Sequence, residues 1–332
     1  MRARAIRIHE TGGPEVLRFE TVEVPAPGPG EVLLRQTAIG LNYIDTYHRS
    51  GLYPLELPAV LGREAAGVVT EVGAGVRDFA PGDRAAYALY PGSYAEARLL
   101  PAERLVALPD EIDDRTAAAV LLKGLTAHYL LCRTHPVRPG NAVLIHAAAG
   151  GVGLLLCQWA KHLGATVLGT VSSPEKAELA GAHGCDHPLL YDREDFVARA
   201  REITAGRGVV VVYDSVGRDT FERSLDCLAP LGIMVSFGQS SGPVPPVNLG
   251  LLAQKGSLFL TRPTLATYIA DRADLLQAAA ALFEVVRSGA VRVQVGQTYP
   301  LADAARAHRD LESRRTTGST LLLPEAPRRV SP

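Results

Sequence analysis

His146–Ala165 reads HAAAGGVGLLLCQWAKHLGA, with three glycines in four residues at the mouth of an apolar, helix-patterned stretch. Glycine costs about 1 kcal/mol relative to alanine in a helix interior, so these glycines serve something other than the helix. The stretch follows NAVLIHA (141–147), which has a buried-strand pattern, and precedes a second such strand, TVLGTV (166–171). Strand, turn, helix and strand make a βαβ unit, and in that context a G-x-G-x-x-G match gains meaning. The register is Ala148-Ala149-Gly150-Gly151-Val152-Gly153, with Ala148 where the first glycine usually stands. Gly150 lets the backbone approach a diphosphate, and Gly153 lets the helix pack closely on the strand. The helix N-terminus adds free N–H groups and about half a positive charge. Gly150, Gly151, Val152 and Gly153 are therefore candidate dinucleotide contacts.

Working outward, the alternation continues. SPEKAELAGAHG (173–184) has a Ser-Pro helix start and a Gly stop. HPLLY (187–191), DFVARAREITAG (195–206), VVVVYDSV (209–216) and GIMVSFG (232–238) extend the series. This predicts an α/β domain with a doubly wound parallel sheet of the Rossmann type. The first ~120 residues differ: APGPGEVLLRQTAIG (26–40), LGREAAGVVTEVGAGV (61–76) and FAPGDRAAYAL (79–89) are short runs broken by Gly, Pro and Asp. They predict an antiparallel, barrel-like or sandwich-like β domain. Around Asp113, DDRTAAAVLLKGLTAHYLLC turns to helical spacing. After Pro263 a long helix pattern (273–289) and a closing segment (308–324) do not extend the sheet. The expected division is 1–122 for the β domain, 123–263 for the Rossmann domain and 264–332 for a return to the first.

Size and composition agree with two globular domains. The chain has 332 residues, 47% hydrophobic and 21% charged, ordinary for a soluble protein. A formal net charge of −1 gives no electrostatic reason to expect nucleic acid or an anionic membrane as partner. No apolar run reaches the roughly 18–20 residues of a membrane span. MRARAIRIHETGGPE (1–15) lacks an apolar signal core and reads as a strand and turn, so a cytoplasmic location is expected. Cys132, Cys157, Cys185 and Cys227 form no CxxC pair and indicate neither a zinc knuckle nor a disulfide framework.

The tip of the second strand chooses the dinucleotide. NAD-binding folds usually carry Asp or Glu there for the ribose 2′-hydroxyl. This chain has Gly169-Thr170-Val171-Ser172-Ser173-Pro174-Glu175-Lys176. Ser172, Ser173 and Lys176 suit a 2′-phosphate, which a carboxylate at the tip would repel. Glu175 lies one turn into the helix, where an acid supports the N-terminus without touching the cofactor. NADPH is the expected cofactor.

GLNYIDTYHRSGLYP (40–54), EAAGVVTEVGAGV (64–76), GDRAAY (82–87), LKGLTAHYLL (122–131), HAAAGGVG (146–153), VVYDSVGRDT (211–220), MVSFGQSSG (234–242) and LTRP (260–263) together carry a resemblance over nearly the full length. The chain resembles the zinc-independent quinone oxidoreductases of the medium-chain dehydrogenase/reductase superfamily, the group that includes zeta-crystallin. The resemblance implies a GroES-like β domain formed by both chain ends, an inserted Rossmann domain, and an active site in the cleft. The zinc alcohol dehydrogenases of the superfamily place metal ligands where this chain has Asn42, Arg63 and Lys123. A carboxamide is a poor zinc ligand and Arg and Lys are cations, so no metal is expected.

The chemistry left is direct reduction of a quinone by NADPH, with the protein supplying orientation and electrostatics. Asn42, Tyr47 and Tyr53 are the candidate donors to the reduced quinone; a tyrosine of ordinary pKa, about 10, stays protonated at neutral pH. Asp45 reads as a local hydrogen-bonding residue, and His146 as structural. By resemblance, Asn42, Tyr47 and Thr126 lie on the nicotinamide side, and Tyr191 joins Lys176 at the 2′-phosphate. Val216 borders the ribose, Phe237, Gly238 and Ser240 approach the nicotinamide ribose, and Arg314 reaches back to the cofactor. SLFLTRP (257–263) is an apolar strand at the expected sheet edge; such an edge invites pairing, and the family pairs it in a homodimer. Two alternatives stay open: an NADPH-dependent reductase of enones or alkenals, and an NADPH-regulated RNA-binding protein.

Overall fold

The computed structural model describes residues 1–325. The chain divides into two compact units, one of Met1–Leu122 with the described residues from Val293 onward, the other of Lys123–Arg292.

In the second unit six strands form one all-parallel sheet: Ala142–Ile145, Thr166–Val171, His187–Leu190, Val209–Asp214, Leu228–Ser236 and Phe259–Thr261. Numbered in chain order within this sheet they lie 3-2-1-4-5-6, the doubly wound Rossmann order. Crossover helices Gly151–His162, Pro174–Ala182, Phe196–Ile203 and Phe221–Cys227 join them. Strand residues Val143, Leu144, Ile145, Val211, Val212 and Met234 are fully buried, as strands covered on both faces require.

The expected return at 264 comes later. Helix Arg272–Arg287 buries Leu275, Ala278, Ala279, Leu282 and Phe283. A Cβ on Gly124 would sit 2.4 Å from a Leu282 methyl, so the helix packs closely there. Arg292 N–H donates to Gln158 Oε1 at 2.9 Å, and Gln158 Nε2 donates to Arg292 O at 3.1 Å. These contacts hold residues 264–292 in the second unit.

The first unit is built on β-sheets. Glu31–Leu41 is the hub, pairing antiparallel with Glu64–Val72, Ala97–Pro101 and the late strand Ser319–Leu323. A three-stranded sheet of Arg18–Glu23, Arg2–Ile8 and Ala59–Val60 completes the unit. In this unit Val295–Pro300 runs parallel to Ser319–Leu323, because the helix Ala304–Glu312 crosses between them. The core gathers Ile6, Ile8, Leu34, Ile39, Tyr87, Tyr94, Leu100 and Leu105. No helix among the described residues is long and apolar enough to cross a membrane.

Candidate functional site

The candidate residues fall into two sets, one in each unit. In the second unit the strand Ala142–Ile145 runs into the glycine loop. Ala147 takes a left-handed φ of +53°, and Gly150 N–H donates to its carbonyl at 2.9 Å. Gly150 is the N-cap of the following helix; it has no side chain to satisfy the first turn, which also holds no acidic residue. The N–H groups of Gly151, Val152 and Gly153 are those a helix leaves without carbonyl partners. A Cβ on Gly153 would lie 2.2 Å from Ala147 O and 2.8 Å from Ala148 Cα. Any other residue would push the loop off the helix, so the cradle keeps its shape only with glycine there. Uncapped donors, a positive helix end and no competing acid fit a diphosphate.

Beneath the loop lies a buried polar network. His146, 1% exposed, bonds Thr170 Oγ1 at 2.8 Å and Ser224 Oγ at 2.9 Å through its two ring nitrogens. Burial lowers its pKa, against the pull of Asp214; the ring is structural, as expected. Asp214 closes the fourth strand of this sheet and is fully buried. Its Oδ1 accepts the N–H groups of Val216 at 2.7 Å and Gly217 at 3.0 Å. Its Oδ2 accepts the hydroxyls of Thr220 at 2.7 Å and Ser224 at 3.1 Å. The loop after the fifth strand locks onto the same place. Phe237 N–H donates to Asp214 O at 2.8 Å, and Ser240 N–H donates to Ser215 O at 3.2 Å. Ser241 Oγ donates to Val216 O at 2.8 Å. A Cβ on Gly238 would come within 2.5 Å of Ser215 O. Val216, Phe237, Gly238 and Ser240 are thus brought together at the carboxyl end of the sheet, where open α/β sheets take ligands. Asp214 organises them, although the sequence reading passed over it; an acid ending an apolar strand before a Ser-Val-Gly turn was the available signal.

At the tip of the second strand, Lys176 Nζ donates to Ser172 Oγ at 3.3 Å, so these two candidates share one spot. Tyr191 joins them through its backbone N–H, which donates to Val171 O at 3.3 Å; its side chain is 38% exposed. The Ser173 hydroxyl caps the next helix by accepting Lys176 N–H at 3.3 Å. It also holds the Glu175 carboxyl below its usual range, so Ser173 is engaged in shaping the turn. Thr126 is buried, 7% exposed, within helix Asp114–His128.

In the first unit, Asn42 opens the short helix Tyr43–Arg49. Its Nδ2 donates to Glu64 Oε2 at 2.9 Å and to Gly40 O at 3.3 Å. Its backbone N–H donates to Asp45 Oδ2 at 2.9 Å, the local role expected of Asp45. Glu64 was another residue the sequence reading missed. The Tyr47 ring meets Tyr53 edge-on at 5.2 Å and Tyr43 at 5.6 Å, which gathers the aromatic candidates into one cluster. Burial and the nearby Glu312 raise the Tyr43 pKa, and Arg314 and Arg49 pull it back. Arg314 is exposed, with a left-handed φ of +60°.

The helix is braced from behind. Tyr94 O–H donates to Asp45 Oδ2 at 2.8 Å and lies 3.1 Å from His308 Nε2. Arg49 Nη1 lies 3.1 Å from His308 Nδ1 and also pairs with Glu312. An arginine can only donate, so Nδ1 accepts and Nε2 carries the proton toward Tyr94.

Among the positions compared with zinc ligands, Arg63 donates Nη1 to Leu89 O at 3.1 Å and Lys123 is 5% exposed. Among the described residues no group of three or more His, Cys, Asp or Glu side chains could hold a metal ion.

Residues 28–110 match the family described as "Alcohol dehydrogenase GroES-like domain" and residues 151–297 match "Zinc-binding dehydrogenase". The chain is 56% identical over 325 residues to a quinone oxidoreductase of Pseudomonas aeruginosa, covering 97% of this chain and 100% of the relative. It is 50% identical over 327 residues to a 2-haloacrylate reductase of a Burkholderia species, covering 96% and 98%. The solved structure of Escherichia coli quinone oxidoreductase complexed with NADPH superposes with a TM-score of 0.95 at 52% identity, covering 97% and 100%. Fold, aromatic cluster, glycine cradle and full-length similarity lead to one conclusion: the chain belongs to the quinone oxidoreductase family of the medium-chain dehydrogenase/reductase superfamily.

Proposed function

We propose that this chain reduces quinones with NADPH, without a metal ion. The observation that carries the reading is the uncapped, acid-free helix start at Gly150–Gly153, whose N–H groups match a diphosphate. Two similar solved structures, of Escherichia coli quinone oxidoreductase and of a mycobacterial protein, are complexes with NADPH. Gly151, Val152 and Gly153 would hold the diphosphate. Ser172, Lys176 and Tyr191 would hold the 2′-phosphate, and Val216, Phe237, Gly238 and Ser240 would line the ribose side. Bound NADPH supplies the hydride, and a quinone accepts it because the product is an aromatic hydroquinone. Asn42, Thr126 and Tyr47 then orient the reacting partners, and the Tyr47 and Tyr53 hydroxyls give a proton or hydrogen bond to the developing oxyanion. Arg314 would add a cationic contact to the cofactor.

Asn42, Arg63 and Lys123 supply a carboxamide and two cations, a poor donor set for zinc, which supports the metal-free reading. A second reading is reduction of an activated carbon–carbon double bond, favoured by 50% identity to a 2-haloacrylate reductase. A near-neutral net charge of −1 favours no nucleic-acid partner, and a cytoplasmic homodimer paired through the 257–263 edge strand completes the proposal. Steady-state turnover of NADPH with 1,4-benzoquinone and with 2-alkenals, before and after chelation, tests it. Quinone turnover that survives chelation is expected. A preference for alkenals of about a hundredfold in kcat/KM, about 2.7 kcal/mol, would favour the second reading instead.

A further inference from the structure

Arg63 precedes the strand Glu64–Val72 and, with His48, lines a small concavity walled by Leu55, Val60, Leu61 and Pro91. The concavity encloses about 10 Å³, room for about one water-sized group. Arg63 Nη1 is tied to Leu89 O at 3.1 Å, whereas its Nε is buried without a hydrogen-bond partner. A guanidinium presents its donors as a planar fork, and the Nε edge is one that meets a carboxylate side-on. The Asp45 carboxylate acts on Arg63 across space. Its Oδ2 already accepts from Asn42 N–H at 2.9 Å and from the Tyr94 hydroxyl at 2.8 Å.

His48 is 7% exposed, and neither of its ring nitrogens completes a hydrogen bond. Burial, then Arg63, lowers its pKa to about 4, opposed by the Pro54 and Tyr53 carbonyls. The ring is neutral at pH 7 and adds no second positive charge. A buried guanidinium N–H without a partner beside an apolar hollow calls for an acceptor, and an anionic one best. A cation is repelled there, and an apolar group leaves the donor unsatisfied.

The hollow adjoins the aromatic cluster. His48 meets the Tyr53 ring edge-on at 5.7 Å, and Tyr53 meets Tyr47 at 5.2 Å. We propose that Arg63 and His48 form a carboxylate subsite, selecting quinonoid or α,β-unsaturated acceptors that carry a carboxylate about one ring away from the group reduced. The hollow seats one carboxylate oxygen, and the Arg63 Nε edge meets the group from the side. The substrate class rests on the function proposed above; the anion site itself does not.

The test compares 1,4-naphthoquinone with its 6-carboxylate, whose charge sits on the fused ring, as acceptors, and uses benzoate as an unreactive probe. In Arg63→Gln the ratio of kcat/KM for the carboxylate to that for the neutral quinone falls at least about thirtyfold, through KM. Arg63→Lys keeps the charge but loses the fork, and its ratio falls at least about threefold, which keeps the proposal testable if the Gln variant does not fold. Calorimetric titration shows benzoate binding to the wild type and at least about tenfold weaker binding to either variant. A ratio unchanged from wild type, or equal benzoate affinity in wild type and variants, overturns the subsite. If the wild type reduces neither quinone, the quinone reading fails, and the benzoate titration still decides the subsite.

Discussion

Asn42 donates its side-chain amide to one oxygen of the fully buried Glu64 carboxylate at 2.9 Å, while the backbone N–H of Leu122 donates to the other at 2.6 Å. One carboxylate thereby fixes both the candidate that opens the helix Tyr43–Arg49 and the middle of the helix Asp114–His128. In Glu64→Gln the side chain keeps its size, but its NH₂ must face one of these two donors. A buried donor left unsatisfied costs about 1–3 kcal/mol. Denaturant unfolding should show a loss of that order, and turnover should fall because Asn42 is no longer held. Wild-type stability and turnover in this variant would show that the pair orients nothing.

Lys176 Nζ lies 3.3 Å from Ser172 Oγ at the strand tip, where the 2′-phosphate is proposed to sit. Lys176→Ala removes one charge-assisted contact that only the phosphorylated cofactor makes. Fluorescence titration should find NADPH binding weakened about tenfold, with NADH affected little. Equal weakening for both cofactors would place Lys176 away from the 2′ position.

Stability should depend on pH through buried histidines. His308 is fully buried, and desolvation, then Arg49, lowers its pKa from 6.5 to about 3. His48 is lowered to about 4, and His128, His135 and His146 move in the same direction. In the unfolded chain these rings take up protons near pH 6.5, whereas the folded protein refuses them to lower pH, until near pH 3–4 for His308 and His48. Over that window the unfolded state binds more protons, so stability rises with pH; it is fully present above about 6.5 and lost on acidification. Each such ring contributes up to about 1.4 kcal/mol per pH unit within its window. Denaturation midpoints should be level from pH 8 to 7 and decline steadily from 6.5 to 4.5. His308→Asn should make the decline shallower, and a level profile down to pH 5 would contradict the assignment.

Phe259 is 59% exposed in the three-residue edge strand Phe259–Thr261, which pairs on one side with Leu228–Ser236. A charge on such an edge opposes strand addition. Light scattering behind size exclusion should report a dimer for the wild type and a monomer for Phe259→Asp. A wild-type monomer would remove the proposed interface.

The Rossmann unit was legible because its signals are local. Strand and helix periods alternate, Ser-Pro and Gly punctuate the helix Pro174–Ala182, and the glycine loop sits between them. The placement of residues 264–292 was not legible, since a helix pattern does not say which unit its apolar face will cover; the Leu282–Gly124 contact decides that. The same holds for polar partners. His308 and Tyr94 meet across 214 residues of chain, and Glu64 reaches Leu122 across 58. Neither pairing has a periodic trace. The candidate donors could be found by type and neighbourhood, whereas the groups that hold them still appear only once the chain is folded.

The central claim is that the helix start at Gly150–Gly153 holds the diphosphate of NADPH. A crystal structure of the protein soaked with NADPH tests it most directly. The account predicts diphosphate oxygens within hydrogen-bonding distance, about 2.7–3.2 Å, of the Gly151–Gly153 N–H groups, with the 2′-phosphate against Ser172 and Lys176. Density for the nucleotide elsewhere, with water alone at the glycine loop, would contradict it.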